Sequence, residues 1–159
     1  MNEYKYTGAV KALIAEYKKA VFELKRIIKP LSKEDLVKVR DADTKDQDCI
    51  SIQSVLAHVV SSGYNYIILI RKNEEEELDY SKQIELDSAA EYLSALDQMI
   101  DYNVNLFEDY PKLEIEQKEC ANKLHTRWGQ YYDPEQLLEH AIVHILRHRR
   151  QIEQFLLYS

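Results

Sequence analysis

Near its C-terminus the chain reads Glu-His-Ala-Ile-Val-His-Ile-Leu-Arg-His-Arg-Arg-Gln over residues 139–151. Three of the five histidines, His140, His144 and His148, fall in this stretch, each four residues from the next. Residues four apart on an α-helix lie on one face, so the three imidazoles form a column. Two neighbours in such a column can bind one metal ion. The stretch therefore predicts a helix that carries a candidate metal site.

The helix with this column has a clear start. Asp133 is a predicted N-cap, Pro134 takes the first helical position, and Gln136 lies three residues past the cap. Three further amphipathic helices are predicted upstream, because apolar residues recur at three- and four-residue steps. They cover residues 10–28, 52–72 and 88–107, and the last two have Ser51 and Ser88 as N-caps.

The connections give weaker signals. Residues 32–35 are predicted to open a short helical turn, and residues 40–48 are predicted to be a loop. Leu113 and Ile115 alternate with glutamates, which is a weak strand signal, and Trp128-Gly129 indicates a turn.

Four long helices in a chain of 159 residues predict one all-α domain over residues 1–159, a four-helix bundle. The composition agrees, with only three glycines and three prolines. The first and third links between helices are longer than the second. Long links allow parallel neighbours and a short one favours an antiparallel pair, so an up-up-down-down order with two long crossover connections is predicted.

Charge and hydropathy argue against two kinds of partner. The net charge is −7 and no basic stripe runs along the chain, which is unfavourable for binding the nucleic-acid phosphate backbone. No segment is apolar enough to span a membrane. The first residues, 1–5, lack the apolar core of a signal peptide, and the two cysteines match no zinc-ribbon spacing. A cytoplasmic protein that binds neither nucleic acid nor membrane is predicted.

A helical wheel divides the histidines of the last helix. His148 and His144 lie on the inner flank of its apolar stripe, whereas His140 leans toward solvent, and Gln151 shares their side. On the second helix His58 lies on a comparable flank, beside Ser62 and Asn65. His58, His144 and His148 converge if these two helices pack side by side.

Three neutral imidazoles around one divalent ion leave a coordination position open, which is the pattern of catalytic zinc. Nickel, iron and cobalt accept the same ligands. The alternative is ordinary: histidines on helix flanks are commonly surface or hydrogen-bonded residues. No Glu-x-x-His, His-Glu-x-x-His or nucleophile-elbow pattern occurs, which argues against a di-iron bundle, a zincin protease and a serine hydrolase.

Arginine and aromatic residues near this site have two interpretations each. The wheel places Arg149 inside the apolar stripe, where a guanidinium needs a carboxylate partner or a ligand, and the structural role is favoured. His125 and Trp128 precede the last helix, and loop packing is favoured over a position at the mouth of a pocket.

The sequence around these histidines resembles the DinB/YfiT-like superfamily of metal-dependent proteins. The matching segments are Ser-Ile-Gln-Ser-Val-Leu-Ala-His-Val-Val at 51–60 and His-Ile-Leu-Arg-His-Arg-Arg-Gln at 144–151, in a helix order that covers the whole chain. The sequence differs from the family pattern at Arg150, where the family usually has glycine. The larger side chain affects how closely other groups can pack against the helix at that point.

The resemblance implies an up-up-down-down four-helix bundle in which His58, His144 and His148 bind a divalent metal, usually zinc or nickel. His140, Gln151 and Arg149 would support these ligands. Characterised relatives are transferases or isomerases that use the low-molecular-weight thiols bacillithiol, mycothiol or glutathione. The resulting hypothesis is a metal-dependent S-transferase or hydrolase that acts on a small molecule and forms a homodimer. The alternative is a non-catalytic bundle that binds metal or dimerises through an aromatic helix face.

Overall fold

The computed structural model describes residues 8–158, so the prediction about the first five residues lies outside the described part. The chain is mostly helical, as predicted. Four long helices and one short helix are present: α1 (Gly8–Ile28), α2 (Lys33–Val37), α3 (Ile52–Asn73), α4 (Ala89–Asp109) and α5 (Pro134–Leu157). Two short strands, β1 (Leu124–His125) and β2 (Tyr131–Tyr132), pair antiparallel before α5. Among residues 8–158, no helix combines the length and apolarity needed to cross a bilayer.

Capping side chains fix the starts of the long helices. The Ser51 hydroxyl accepts a hydrogen bond from the amide of Ser54, and the Ser88 hydroxyl does the same for Glu91. At α5 the Asp133 carboxylate accepts from the Gln136 amide, and the Gln136 side chain accepts from the Asp133 amide. These bonds satisfy amides that have no partner within the first helical turn. The predicted helix starts are confirmed.

The apolar stripes of the four long helices meet in one core, and α1 and α3 each pack against both α4 and α5. Side chains from every long helix are fully buried, among them Leu24, Ile67, Leu96 and Leu137. Gly63 lets the side chain of Met99 on α4 pack directly against the backbone of α3, because a Cβ atom there would overlap that side chain.

Side-chain contacts give the direction of α5 relative to its two neighbours. Leu13 of α1 and Leu138 of α5 line one small cavity, and about three turns further along both helices Glu23 pairs with Arg149. The helices α1 and α5 are therefore parallel. On α3, by contrast, the ring of His58 lies 5.1 Å from that of His148, and the later Tyr66 lies 5.4 Å from the earlier His140, so α3 and α5 are antiparallel.

The helices α3 and α4 run parallel. The hydroxyl of Tyr92, at the start of α4, donates to the Gln53 carbonyl at the start of α3 (2.9 Å). At the other end Arg71 donates to Asp109 (2.6 Å). The order of the four long helices is consequently up-down-down-up, and the predicted up-up-down-down order with two crossovers is wrong.

The reason for this error is the link between α3 and α4, residues 74–88. It is extended and runs back along α3: Lys72 donates to the Leu78 carbonyl, and Gln53 donates to the Leu86 carbonyl. Extended chain covers roughly 3.3 Å per residue, so this link reaches about 50 Å, whereas the 22 residues of α3 rise about 33 Å. The link with the fewest residues is thus long enough to be the crossover.

The connection before α5 differs from the prediction as well. Leu113 and Ile115 alternate in burial, but residues 113–118 form no strand. The Ile115 carbonyl instead accepts from the Glu135 amide at the start of α5. The turn predicted at Trp128-Gly129 is present between β1 and β2, where Gly129 has a φ of +84°, a conformation that favours glycine.

Candidate metal centre

Three histidine side chains meet in the groove between α3 and α5. Because His144 and His148 are one turn apart on α5, their Nε2 atoms lie 3.2 Å from each other. His58 reaches across from α3, and its Nε2 lies 2.9 Å from that of His144. One ligand atom from each of the three residues lies within 4.8 Å of the others. The structure brings together the three residues that the sequence nominated as metal ligands.

The outer nitrogen of His58 contacts a carboxylate. Its Nδ1 lies 3.1 Å from Oδ2 of Asp48, in the loop that precedes α3. A carboxylate only accepts hydrogen bonds, so this contact places the imidazole proton on Nδ1 and leaves the lone pair on Nε2. The side-chain amide of Gln83, in the 74–88 link, lies 3.2 Å from the same Nδ1. Because Nδ1 carries the proton, the Gln83 N–H group cannot donate to it, and Asp48 is the partner that orients the ring.

The outer nitrogen of His148 is held in a similar way. Its Nδ1 lies 2.8 Å from Oε1 of Gln151, one turn further along α5. The amide oxygen accepts, so the proton again lies on Nδ1 and the Nε2 lone pair faces the other histidines. Gln151 therefore orients the ring of His148.

Burial keeps the two imidazoles of α5 in the cluster, His144 and His148, in the neutral form. Burial lowers the pKa of His144 to about 2, and the neighbouring imidazoles of His148 and His58 contribute further. Burial is also the main reason that the pKa of His148 is lowered, and the hydrogen bond that His148 donates to Gln151 opposes this effect. A metal ion binds the neutral form of histidine, so no proton has to be displaced at neutral pH.

The donor set fits a divalent ion of the zinc type. Three Nε2 lone pairs that face one another repel unless a cation or a proton lies between them. Nitrogen ligands at 2.0–2.1 Å from a tetrahedral zinc ion are about 3.3 Å apart, close to the 2.9 and 3.2 Å separations between Nε2 atoms. Three protein ligands leave the remaining position open to a small molecule.

His140 lies outside the ligand cluster. Its ring stacks on the indole of Trp128 with centroids 4.8 Å apart, and it lies 5.4 Å from the ring of Tyr66. His140 is half-buried, because Trp128 and Tyr132 of the hairpin segment pack against its ring. Trp128 also lines the cavity beside the ligands, contrary to the favoured loop-packing role, whereas His125 contacts Tyr131 on the hairpin.

Arg149 does not support the ligands. Its guanidinium pairs with Glu23 of α1 and with Glu153, one turn further along α5. The structural role favoured from the sequence is the one observed, and a role in the metal site is not. Arg150, at the position where glycine was expected, is exposed to solvent and does not crowd the histidines.

The sequence did not indicate Asp48 or Gln83. Both lie in connections without hydrophobic periodicity, so their proximity to His58 depends on how the links fold. A general signal exists for Asp48, since metal-binding histidines commonly donate their second N–H to a carboxylate. That rule predicts a partner but does not say which of the acidic residues supplies it.

A cavity of about 440 Å³ opens beside His58 and His144. Tyr66 and Leu69 of α3 form one wall, and Trp128 of the hairpin forms another. This volume is in the range of small-molecule sites. The candidate centre is therefore accessible to a ligand of modest size.

A model of the DinB family matches residues 5–156. No curated protein matches the chain.

Proposed function

The chain belongs to the DinB family, and we propose that it is a divalent-metal-dependent enzyme acting on a small molecule in the cytoplasm. His58, His144 and His148 would hold the ion, zinc or nickel. The observation that carries the proposal is the convergence of three Nε2 atoms within one site, two of them with an Nδ1 partner that fixes the proton on the outer side.

The proposed reaction is transfer of a low-molecular-weight thiol to an electrophile, or hydrolysis. When bound, the ion would lower the pKa of a thiol or of water and so supply a nucleophile at neutral pH. Asp48 and Gln151 fix the orientation of the ligand rings. Tyr66 and Trp128 exclude water from one side of the cavity and offer an apolar surface to the substrate.

Metal content tests the first part of the proposal. Protein purified without a histidine tag should contain about one zinc or nickel ion per chain, and His144→Ala should contain almost none. His125→Ala is the matched control, because this histidine lies on the hairpin outside the cluster, and it should retain the metal. If the wild-type protein takes up no stoichiometric metal after supplementation, the site is not a metal site.

An assay with a panel of electrophiles and thiols tests the second part. The wild-type protein should consume the thiol in the presence of an electrophile, and a parallel ester panel without thiol tests for hydrolysis. His58→Ala should abolish the activity while circular dichroism shows the helical fold retained. Activity that survives this substitution would rule out the proposed role of the centre.

A second candidate is a non-catalytic bundle that dimerises. Three large apolar side chains on α1 and α5, Phe22, Val143 and Leu146, are exposed. Light scattering would give the mass of the particle in solution, and Phe22→Asp should convert a dimer built on this face into a monomer. A dimer that persists in this variant uses another surface.

A further inference from the structure

The cavity beside the histidines has mixed walls with one formal charge. Tyr66, Leu69 and Trp128 form its apolar part, and Ser62 and Asn65 add neutral polar groups. Among the described residues that line it, Arg127 is the one that carries a permanent charge. A ligand with an apolar body therefore meets a single cationic group.

Arg127 has no carboxylate partner among the ion pairs of residues 8–158. This is notable in a chain of net charge −7. Its guanidinium carbon lies 4.9 Å from the centroid of the Tyr80 ring, so the guanidinium contacts an aromatic ring. The N–H groups at the edge of a guanidinium stacked in this way remain free to bind an anion in a bidentate manner.

Both supports of this arrangement are anchored to the rest of the fold. The turn that carries Arg127 is closed by hydrogen bonds between Thr126 and Gln130. Tyr80 belongs to the 74–88 link, which is tied to α3 by two hydrogen bonds between Asn65 and Ser81, at 3.0 and 2.7 Å. The backbone that carries Arg127 is therefore fixed by its turn, and the exposed guanidinium contacts Tyr80 at the edge of the cavity.

We infer that the cavity binds small anionic molecules with an aromatic or apolar body, whose carboxylate or other oxyanion pairs with Arg127 while the body lies against Tyr66 and Trp128. This inference deepens the proposed function by giving the chemical class of the substrate. The part concerning the substrate rests on that function, whereas binding of the anion does not require the metal. Binding can therefore be tested on protein stripped of metal.

The test uses two probes of the same shape, 4-nitrobenzoate and its neutral analogue 4-nitrobenzamide. Trp128 is the one tryptophan of the chain and lines the cavity, so quenching of its fluorescence reports binding directly, and calorimetry provides a second measurement. Chelator-treated wild-type protein should bind the acid about tenfold more tightly than the amide, as expected for one charge-assisted contact.

Arg127→Gln should abolish this preference, leaving equal affinities for the two probes. Arg150→Gln removes the same charge from an exposed position on α5 and should retain the preference. Unchanged melting temperatures establish that both variants are folded. Equal affinities of the wild-type protein for both probes, or a preference that survives in Arg127→Gln, would overturn the inference.

Repeating the titrations with zinc separates this inference from the proposed function. A preference for 4-nitrobenzoate that appears only with zinc, and that Arg127→Gln does not change, would show that the zinc ion binds the carboxylate. The inference would then be wrong. A preference present in stripped protein, together with no uptake of metal, would retain the anion subsite and reject the metalloenzyme.

Discussion

The carboxylate of Asp48 lies 3.1 Å from Nδ1 of His58, on the side of the ring away from the other two histidines. This contact orients the ring and increases the basicity of Nε2. Because partners of this kind commonly contribute 10–100-fold to metal affinity, Asp48→Asn should weaken zinc binding by about that factor. Competition with a chromophoric chelator measures the change.

The control for this substitution is Asp43→Asn, which removes the same charge from an exposed position in the same loop. Its zinc affinity should match that of the wild-type protein. Equal loss in the two variants would mean that overall charge, not the contact with His58, determines the affinity.

Zinc should also stabilise the folded protein, because the three ligands are assembled only in the native state. At a free concentration of 100 times the Kd, the expected gain in the free energy of unfolding is about 2.7 kcal/mol. For a chain of this size the gain raises Tm by roughly 5–10 °C. Calorimetry should show this rise for the wild-type protein and for His125→Ala, but not for His144→Ala. A similar rise in His144→Ala would indicate binding elsewhere.

The part of the site predictable from the sequence is the part fixed by local geometry. His144 and His148 had to be neighbours, because a four-residue step on a helix determines their separation. His58 required both its flank position and the family resemblance, since wheel angles do not say which helices are adjacent. Asp48 and Gln83 were missed because loops have no period from which a side chain's direction can be inferred.

The helices were predicted well and their directions were not. Caps such as Ser51 and Asp133 are encoded within four residues, and the structure confirms them. The direction of α4 relative to α3 depends on the 74–88 link between them. The number of residues in this link sets its maximum length but does not say whether it is extended. The link is extended because Gln53, Asn65 and Lys72 bind its backbone along the length of α3.

Gly63 should be intolerant of alanine. Alanine favours the helical conformation by up to about 1 kcal/mol, but its Cβ would overlap the buried side chain of Met99, and overpacking costs about 1–3 kcal/mol. Gly63→Ala should therefore lower the free energy of unfolding by about 1 kcal/mol in urea titrations. In a Met99→Ala background the same change should be neutral or stabilising. A cost that is equal in both backgrounds would exclude the clash with Met99.

Arg149 should affect stability without affecting metal binding. Its partner Glu23 is on α1, and both side chains are partly exposed, at 26% and 33%. The pair therefore contributes about 1 kcal/mol or less. Arg149→Met should cost about that much in urea unfolding and leave zinc affinity unchanged, whereas Gln151→Leu should weaken zinc binding. A large loss of zinc affinity in Arg149→Met would show that this residue contributes to the metal site.

The contact between Tyr110 and Glu76 predicts a dependence of stability on pH. The Tyr110 hydroxyl donates to Oε1 of Glu76 at 2.5 Å, and this bond is the main reason that the pKa of Glu76 is lowered; Arg71 adds to the effect. The same contact raises the pKa of Tyr110 to about 12, so the hydroxyl remains a donor at neutral pH. A carboxyl group with a lowered pKa in the folded state stabilises the fold above its unfolded-state pKa, about 4.3. That contribution is lost as the pH falls through the folded-state value.

Tyr110→Phe should thus lower the urea midpoint at pH 7, and its difference from the wild-type protein should shrink as the solution is acidified below about pH 4. Tyr131→Phe, at an exposed position of the hairpin, is the control and should show no such trend. A Tyr110→Phe difference that stays constant down to pH 2 would show that the hydroxyl acts through packing and not through the charge of Glu76.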